Sequence, residues 1–252
     1  MQSCKKNVRR AARTSETPLS VAVIIPALNE EANLPLVLAD LASLGDAAPA
    51  RVIVIDNGST DRTAEVARAG GAEVVREDRR GYGSACLAGL THLRLEPPEV
   101  VVILDADYSD YPEELPSLTG PVLRGEADMV LGERTTRALP GALLPQQRYG
   151  NTLACVLIER VTGFRYTDMG PFRAIRWSAM ERMAMEDTNY GWNVEMQIKA
   201  VTRGLRVREV AVGYRKRPHG RSKIAGSVRG TVKAGVKILY SVARYREAPW
   251  AS

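Results

Sequence analysis

Two carboxylates separated by one residue close the stretch Val100-Val-Val-Ile-Leu-Asp-Ala-Asp107. On an extended chain, residues two apart point to the same side, so Asp105 and Asp107, flanking Ala106, can approach one Mg²⁺ or Mn²⁺ that also bridges a diphosphate. The same pair could simply end a strand or cap the next helix, because this spacing is common by chance. Other polar groups stand at comparable places. Pro26, Ala27, Asn29 and Glu30 form a polar turn able to hold the edge of a base or ribose, or to start a capped helix. Asp56 can accept hydrogen bonds from a base or ribose. Gly81, Gly83 and Ser84 can open a helix toward a phosphate, since free N–H groups at a helix start attract anions. Arg134 follows Gly132 and Glu133, and Asp168 sits in a turn fixed by Gly170 and Pro171. Trp192 serves either as a platform for a sugar ring or as a core side chain, with Glu195 three residues on along the same helical face. Residues 215–223 form a basic loop in which Arg221, Ser222 and Lys223 either fold over a diphosphate or are merely solvated.

The apolar run from Val100 is rich in β-branched residues and flanked by Pro97, Pro98 and Pro112. That pattern predicts a strand buried on both faces, as in a parallel sheet. Its carboxylates then lie at the C-terminal end of the strand, where open α/β sheets bind ligands. Further strands are expected at 19–25, 51–55, 72–75, 127–132 and 205–213. Helices are expected at about 31–43, up to 69, after Gly83, and at about 113–118, 148–161, 177–185, 190–203 and 228–245. Residues 135–147 read as a loop that could close over a ligand. This alternation implies βαβ units with right-handed crossovers and hence a mainly parallel α/β sheet. Residues 1–18 are expected to be a flexible basic tail, 19–225 one domain, and 226–252 an amphipathic C-terminal helix and tail. Val232, Val236, Leu239 and Val242 give that helix an apolar face, which packs on the domain or lies on a membrane surface.

The 252 residues carry 35 Lys and Arg against 29 Asp and Glu. The excess is concentrated in the first fourteen residues and in 203–223, which suits an anionic partner such as a nucleoside diphosphate or an anionic lipid. Without aromatic and basic residues interleaved on one surface, nucleic acid is not expected. Cys4, Cys86 and Cys155 lack the spacing of a zinc site or a disulfide framework, which fits a reduced, cytoplasmic setting. No run reaches the length of a membrane span, so at most a peripheral contact with the inner face of a membrane is expected. The G-K-[ST] ending of a P-loop is absent, and the first strand leads into P-A-L-N-E rather than G-x-G-x-x-G.

The order P-A-L-N-E, I-D-N-G-S-T-D and D-A-D before a proline resembles family 2 glycosyltransferases. Further on, G-E-R at 132–134, T-D-M-G-P-F-R-A at 167–174, G-W-N-V-E at 191–195 and G-R-S-K at 220–223 are similar to the branch containing dolichyl- and polyprenyl-phosphate sugar synthases. The resemblance covers about residues 19–240. It implies a GT-A, Rossmann-like sheet flanked by helices, forming a single domain with a C-terminal helical extension. By that similarity Pro26, Glu30 and Asp56 hold the nucleotide, Asp105 and Asp107 take the metal and diphosphate, and Arg134, Arg221, Ser222 and Lys223 grip phosphates. Two departures are Asn57, where relatives often carry a second acidic residue, and Ser109, where many lipid-phosphate members carry Gln. The family is inverting. The donor would be a UDP- or GDP-sugar and the leading acceptor a polyprenyl phosphate. A hydroxyl acceptor would need a general base, for which Asp168 and Glu195 are the candidates. A lipid phosphate would need none, and then Asp168 orients the site while a basic pocket around Arg148 and Arg173 matters more. The rival readings are a nucleotidyltransferase, against which the first loop argues, and a binding module without turnover. A homodimer is compatible with either.

Overall fold

The computed structural model describes residues 20–220 and 239–245. β1 (Val21–Ala27), α1 (Leu34–Ala42), β2 (Arg51–Asp56), α2 (Thr63–Ala69), β3 (Glu73–Arg76) and α3 (Tyr82–Leu93) form the first half of the chain. β4 (Val100–Ile103), α4 (Leu115–Leu123), β5 (Met129–Ala138), α5 (Pro145–Thr162), β6 (Arg173–Arg176), α6 (Trp177–Met183), α7 (Trp192–Thr202) and β7 (Val207–Tyr214) follow. The strands make one seven-stranded sheet in the order β3-β2-β1-β4-β6-β5-β7. β1 pairs in parallel with both β2 and β4. The chain therefore departs from β1 in opposite directions on its two sides, which leaves a crevice beyond the strand ends.

Alternate side chains of each strand serve opposite faces of the sheet. Ile24, Ile53 and Ile103 join Cys86 and Leu90 of α3 and Trp192 of α7 on one face. Val23, Val54 and Val102 join Leu34 and Leu38 of α1 and Leu118 and Val122 of α4 on the other. Each such aliphatic contributes roughly 1.5–3 kcal/mol by leaving water, so these two layers hold the strand ends that carry the polar groups. β4 is fully buried along its length, as its composition predicts.

The mainly parallel α/β sheet is present, with β6 as the one strand running against its neighbours β4 and β5. β6 is not anticipated from sequence. It is only Arg-Ala-Ile-Arg, and its charged ends conceal a core strand whose Ala174 pairs with Val102. β5 is longer than expected. It continues to Ala138 past an irregularity between Glu133 and Arg137, because its outer half pairs with β7. Part of the expected loop at 135–147 is therefore strand. α5 begins at Pro145, where the missing N–H of a first-turn proline costs nothing, three residues before the expected start. The expectations for residues 1–18, and for 226–252 apart from 239–245, lie outside the described residues. Residues 239–245 are helical, with Val242 and Tyr245 buried in the core and Leu239 and Tyr240 exposed.

The start of α3 is set by close backbone approach. Ser84 N donates to Thr188 O at 2.9 Å, and a Cβ on Gly83 would lie 1.9 Å from the carbonyl oxygen of Asp187. Gly83→Ala is expected to lower the free energy of unfolding by about 1–3 kcal/mol through overpacking. In urea titrations this would appear as a lower midpoint at unchanged slope; an unshifted midpoint would mean that the 187–188 backbone yields without cost.

Candidate active site

The C-terminal ends of β1, β2 and β4 open into a cavity of about 530 Å³. Pro26 and Ala27 line it at the end of β1 and Glu30 beyond it, Asn57 beyond β2, and Asp105, Ala106 and Asp107 beyond β4. Gly81 and Tyr82 enter from the start of α3, Arg134 from β5, Trp192 and Asn193 from the start of α7, and Tyr214 and Arg217 from the end of β7 and the segment after it. Asp105 and Asp107 thus share one space with Arg134, one of the cations expected to meet phosphates, and with Arg217.

Tyr82 donates its hydroxyl hydrogen to Asp105 Oδ1 at 3.0 Å. Arg217 is paired directly with Asp107 and lies 3.6 Å from Glu30. Burial and the neighbouring charge of Asp107 push Asp105 up to about 7, against the opposing influence of Tyr82, Arg134 and Arg217. Asp110 is buried with no hydrogen-bond partner for either carboxylate oxygen among the described residues. Its burial, then the charge of Asp105, raises it well above the ordinary carboxylate range. Negative charge is thus in excess at the end of β4. Such a surplus fits a hard divalent cation, which takes oxygen ligands. Among the described residues no cluster of three His, Cys, Asp or Glu side chains stands ready to hold a metal. A cation on Asp105 and Asp107 would therefore complete its shell with oxygens from a diphosphate or from water.

Arg134 is held by Asp168. Its Nε and Nη2 donate to the two carboxylate oxygens at 2.7 and 2.9 Å, and its backbone N donates at 2.9 Å. The guanidinium lies 4.8 Å from the centre of the Tyr214 ring. Burial works against the charge of Asp168, but the hydrogen bonds and charge of Arg134 prevail and hold it below the ordinary carboxylate range. Glu209 accepts from the backbone N of Thr167 and Asp168, and Asn151 of α5 accepts from Met169 N at 2.8 Å. The turn carrying Asp168 is thereby fixed between α5 and β7.

Four expectations meet different surroundings in the structure. Asp168 does not line the cavity, and its oxygens are taken by Arg134, so it positions that arginine and is not a free general base. Glu195 is fully buried. It accepts from the backbone N of Glu186 and Asp187 at 2.8 and 2.7 Å and pairs with Lys199 at 2.7 Å; it braces the segment before α7 and lines no part of the cavity. Gly83 faces the 187–188 backbone, whereas Gly81 lines the cavity. The expected basic pocket of Arg148 and Arg173 is not formed. Arg173 is buried and donates to Gly170 O at 2.7 Å, while Arg148 is exposed.

Asn29 and Asp56 support the cavity without lining it. Asn29 N donates to Ser59 Oγ at 2.9 Å and its Oδ1 accepts from Thr60 N at 2.8 Å, tying the first two loops together. Asp56 accepts from Ser59 N at 2.8 Å and Arg76 Nη1 at 2.6 Å. Burial opposes its charge, but those bonds bring it below the usual range. Arg221, Ser222 and Lys223 lie outside the described residues. Sequence reasoning missed Tyr82, Asn57, Tyr214, Asn193 and Arg217. Arg217 stands in the basic loop that composition singles out, but no local signal tells that Tyr82 reaches a carboxylate 23 residues away. Asn57 accepts from Gly81 N at 2.8 Å and donates to Glu77 O and Arg79 O, which fixes the approach to α3.

The architecture is that of GT-A glycosyltransferases. The structure of glucosyl-3-phosphoglycerate synthase from Mycobacterium tuberculosis in complex with Mn²⁺, UDP and phosphoglyceric acid superposes with a TM-score of 0.72 at 23% identity, covering 93% of this chain and 81% of that one. Residues 22–182 match the family model described as Glycosyl transferase family 2, and the chain belongs to that family. An uncharacterized glycosyltransferase of M. tuberculosis is 38% identical over 216 residues, spanning 85% of this chain and 94% of the relative. The undecaprenyl-phosphate mannosyltransferase of Micrococcus luteus is 33% identical over 233 residues, spanning 86% and 93%. The polyprenol monophosphomannose synthase of Mycolicibacterium smegmatis is 33% identical over 221 residues, spanning 81% of each.

Two outcomes follow from the site's electrostatics. Asp168→Asn leaves Arg134 buried without its counter-charge, and stability should fall by about 3–5 kcal/mol, measured by chemical denaturation; a loss no larger than that of a surface pair would deny the coupling. Asp105 is raised above its unfolded value, so the stability it contributes is complete below about pH 4 and is lost as pH rises through 7. With chelator present, the melting temperature of Asp105→Asn relative to the parent should accordingly climb between pH 5 and 8. A difference independent of pH would remove Asp105 as the titrating group.

Proposed function

We propose that this protein transfers a sugar from a nucleoside-diphosphate sugar to a polyprenyl phosphate, with inversion at the anomeric carbon. The observation that carries the reading is the convergence of Asp105 and Asp107 with Arg134 and Arg217 on one cavity at the switch point of the sheet. Carboxylates there suit a divalent cation, and cations beside them suit phosphates. The names borne by the relatives from M. luteus and M. smegmatis support the acceptor class.

In the proposed reaction an oxygen of the acceptor phosphate attacks the anomeric carbon, the bond from that carbon to the diphosphate oxygen breaks, and the nucleoside diphosphate leaves with the electron pair. A divalent cation on Asp105 and Asp107 would neutralise charge gathering on the leaving diphosphate. Asp168 keeps Arg134 aimed at the cavity, and Tyr82 keeps Asp105 oriented. Asn57 and Asn29 hold the loops against which the nucleotide would rest. An acceptor phosphate is already anionic, so no proton need be removed from it. A hydroxyl acceptor would require a base within hydrogen-bond reach, and both carboxylates nominated for that task are engaged elsewhere, which supports the phosphate acceptor.

The test is a thermal-shift panel of UDP, GDP and their sugar conjugates with and without Mn²⁺, followed by turnover with a polyprenyl phosphate. A ligand that binds only the native state must raise its stability. One base is expected to give a shift that depends on Mn²⁺, and Asp107→Ala should abolish that dependence while remaining folded by circular dichroism. Mn²⁺-dependent turnover persisting in folded Asp107→Ala would refute the metal assignment. Transfer to a glycan hydroxyl but not to the lipid phosphate would refute the acceptor.

A further inference from the structure

α5 is apolar on two faces, and the fold uses only one. Ala154, Cys155 and Ile158 are buried and belong to the core that faces α7. On the other side Pro145, Tyr149, Leu153 and Val156 recur at spacings of four, four and three residues, which places them along one stripe. Tyr149 is 73% and Val156 39% exposed. The segment leading into the helix adds Leu139 at 50% and Leu144 at 38%. Nine large apolar side chains are exposed among the described residues, and four of them fall within these 18 positions. Arg148 and Arg160 are exposed beside the stripe, against the single acid Glu159. The patch adjoins the cavity: Gln147, in the first turn of the same helix, lines it, as does the half-exposed Tyr190.

We infer that this outer face of α5, with the 139–144 segment before it, docks the protein on an anionic lipid bilayer. An exposed apolar stripe with an aromatic ring and flanking arginines matches what an interfacial helix presents to headgroups and the acyl boundary. The arginines select acidic headgroups over zwitterionic ones. The inference rests on the polyprenyl-phosphate reading in one respect. An acceptor whose chain is dissolved in the bilayer must reach the cavity from the membrane side, and the patch puts the Gln147 wall of the cavity against that surface.

The test uses the full chain and vesicles of phosphatidylcholine with about 30% phosphatidylglycerol, compared with phosphatidylcholine alone. The parent protein is expected to float with the anionic vesicles, and the double variant Tyr149→Glu, Val156→Glu to lose about fivefold or more of the bound fraction, with its circular dichroism spectrum and donor-induced thermal shift retained. Undiminished binding of the variant, or no binding of the parent, would overturn the proposal. So would a parent that is a dimer by light scattering and a variant that is a monomer, because the face would then belong to a second copy. Turnover separates the two readings. With a short, water-soluble prenyl phosphate the variant should match the parent, whereas with a long-chain acceptor in vesicles it should fall in step with binding. If neither acceptor is used by the parent while vesicle binding still depends on residues 149 and 156, the acceptor reading fails and the docking face stands.

Discussion

A strand sealed on both faces cannot deliver two carboxylates to its end without positive charge or protons to meet them, and much of this molecule answers that requirement at the end of β4. Desolvation raises the cost of each charge, and proximity raises it again. Arg217 arrives from beyond the far side of the sheet to pair with Asp107. Tyr82 arrives from α3 to donate to Asp105. Asp110 is pushed toward its neutral form. The site is poised to accept further positive charge, which is the property a donor diphosphate travelling with a divalent cation would use.

Around that centre, buried ion pairs set direction. Asp168 with Arg134 ties the turn before β6 to β5, and Glu195 with Lys199 ties the start of α7 to the segment at 186–187. Pairs of this kind return little net stability, because removing two charges from water offsets most of their attraction. What they contribute here is geometry. A guanidinium gripped by two carboxylate oxygens has one orientation, and a backbone N–H captured by a buried carboxylate has one place. Arg134 and the wall carrying Trp192 are thereby settled before any ligand arrives.

The alternation of apolar runs with helical periods made the sheet legible, and the uniform burial of β4 follows directly from its β-branched composition. The residues at strand ends were legible for the same reason: a polar side chain closing a buried strand has nowhere to point but the crevice. β6 was hidden because its two arginines mask a strand whose place is decided by pairing with β4 and β5. For Glu195 and Asp168, sequence gives the chemistry of a carboxylate but not its neighbours, and in the fold Lys199 and Arg134 engage them. Tyr82 and Arg217 reach the site through long-range packing, for which a single sequence carries no mark.

The reversed direction of β6 has a consequence for how such a molecule can vary. Because β6 runs against the rest, the loop that precedes it, not the one that follows, opens onto the same edge as the ends of the six other strands. All seven strands therefore spend one connection on a single rim. On the opposite rim Arg206 meets Asp128 and Arg176 meets Glu99, and the turns holding those four residues touch no part of the cavity, although the longer connection from β6 to β7 returns through Asn189, Tyr190, Trp192 and Asn193 to line it. Lineages could lengthen or rewrite that rim, or graft a neighbouring module onto it, without disturbing the chemistry across the sheet.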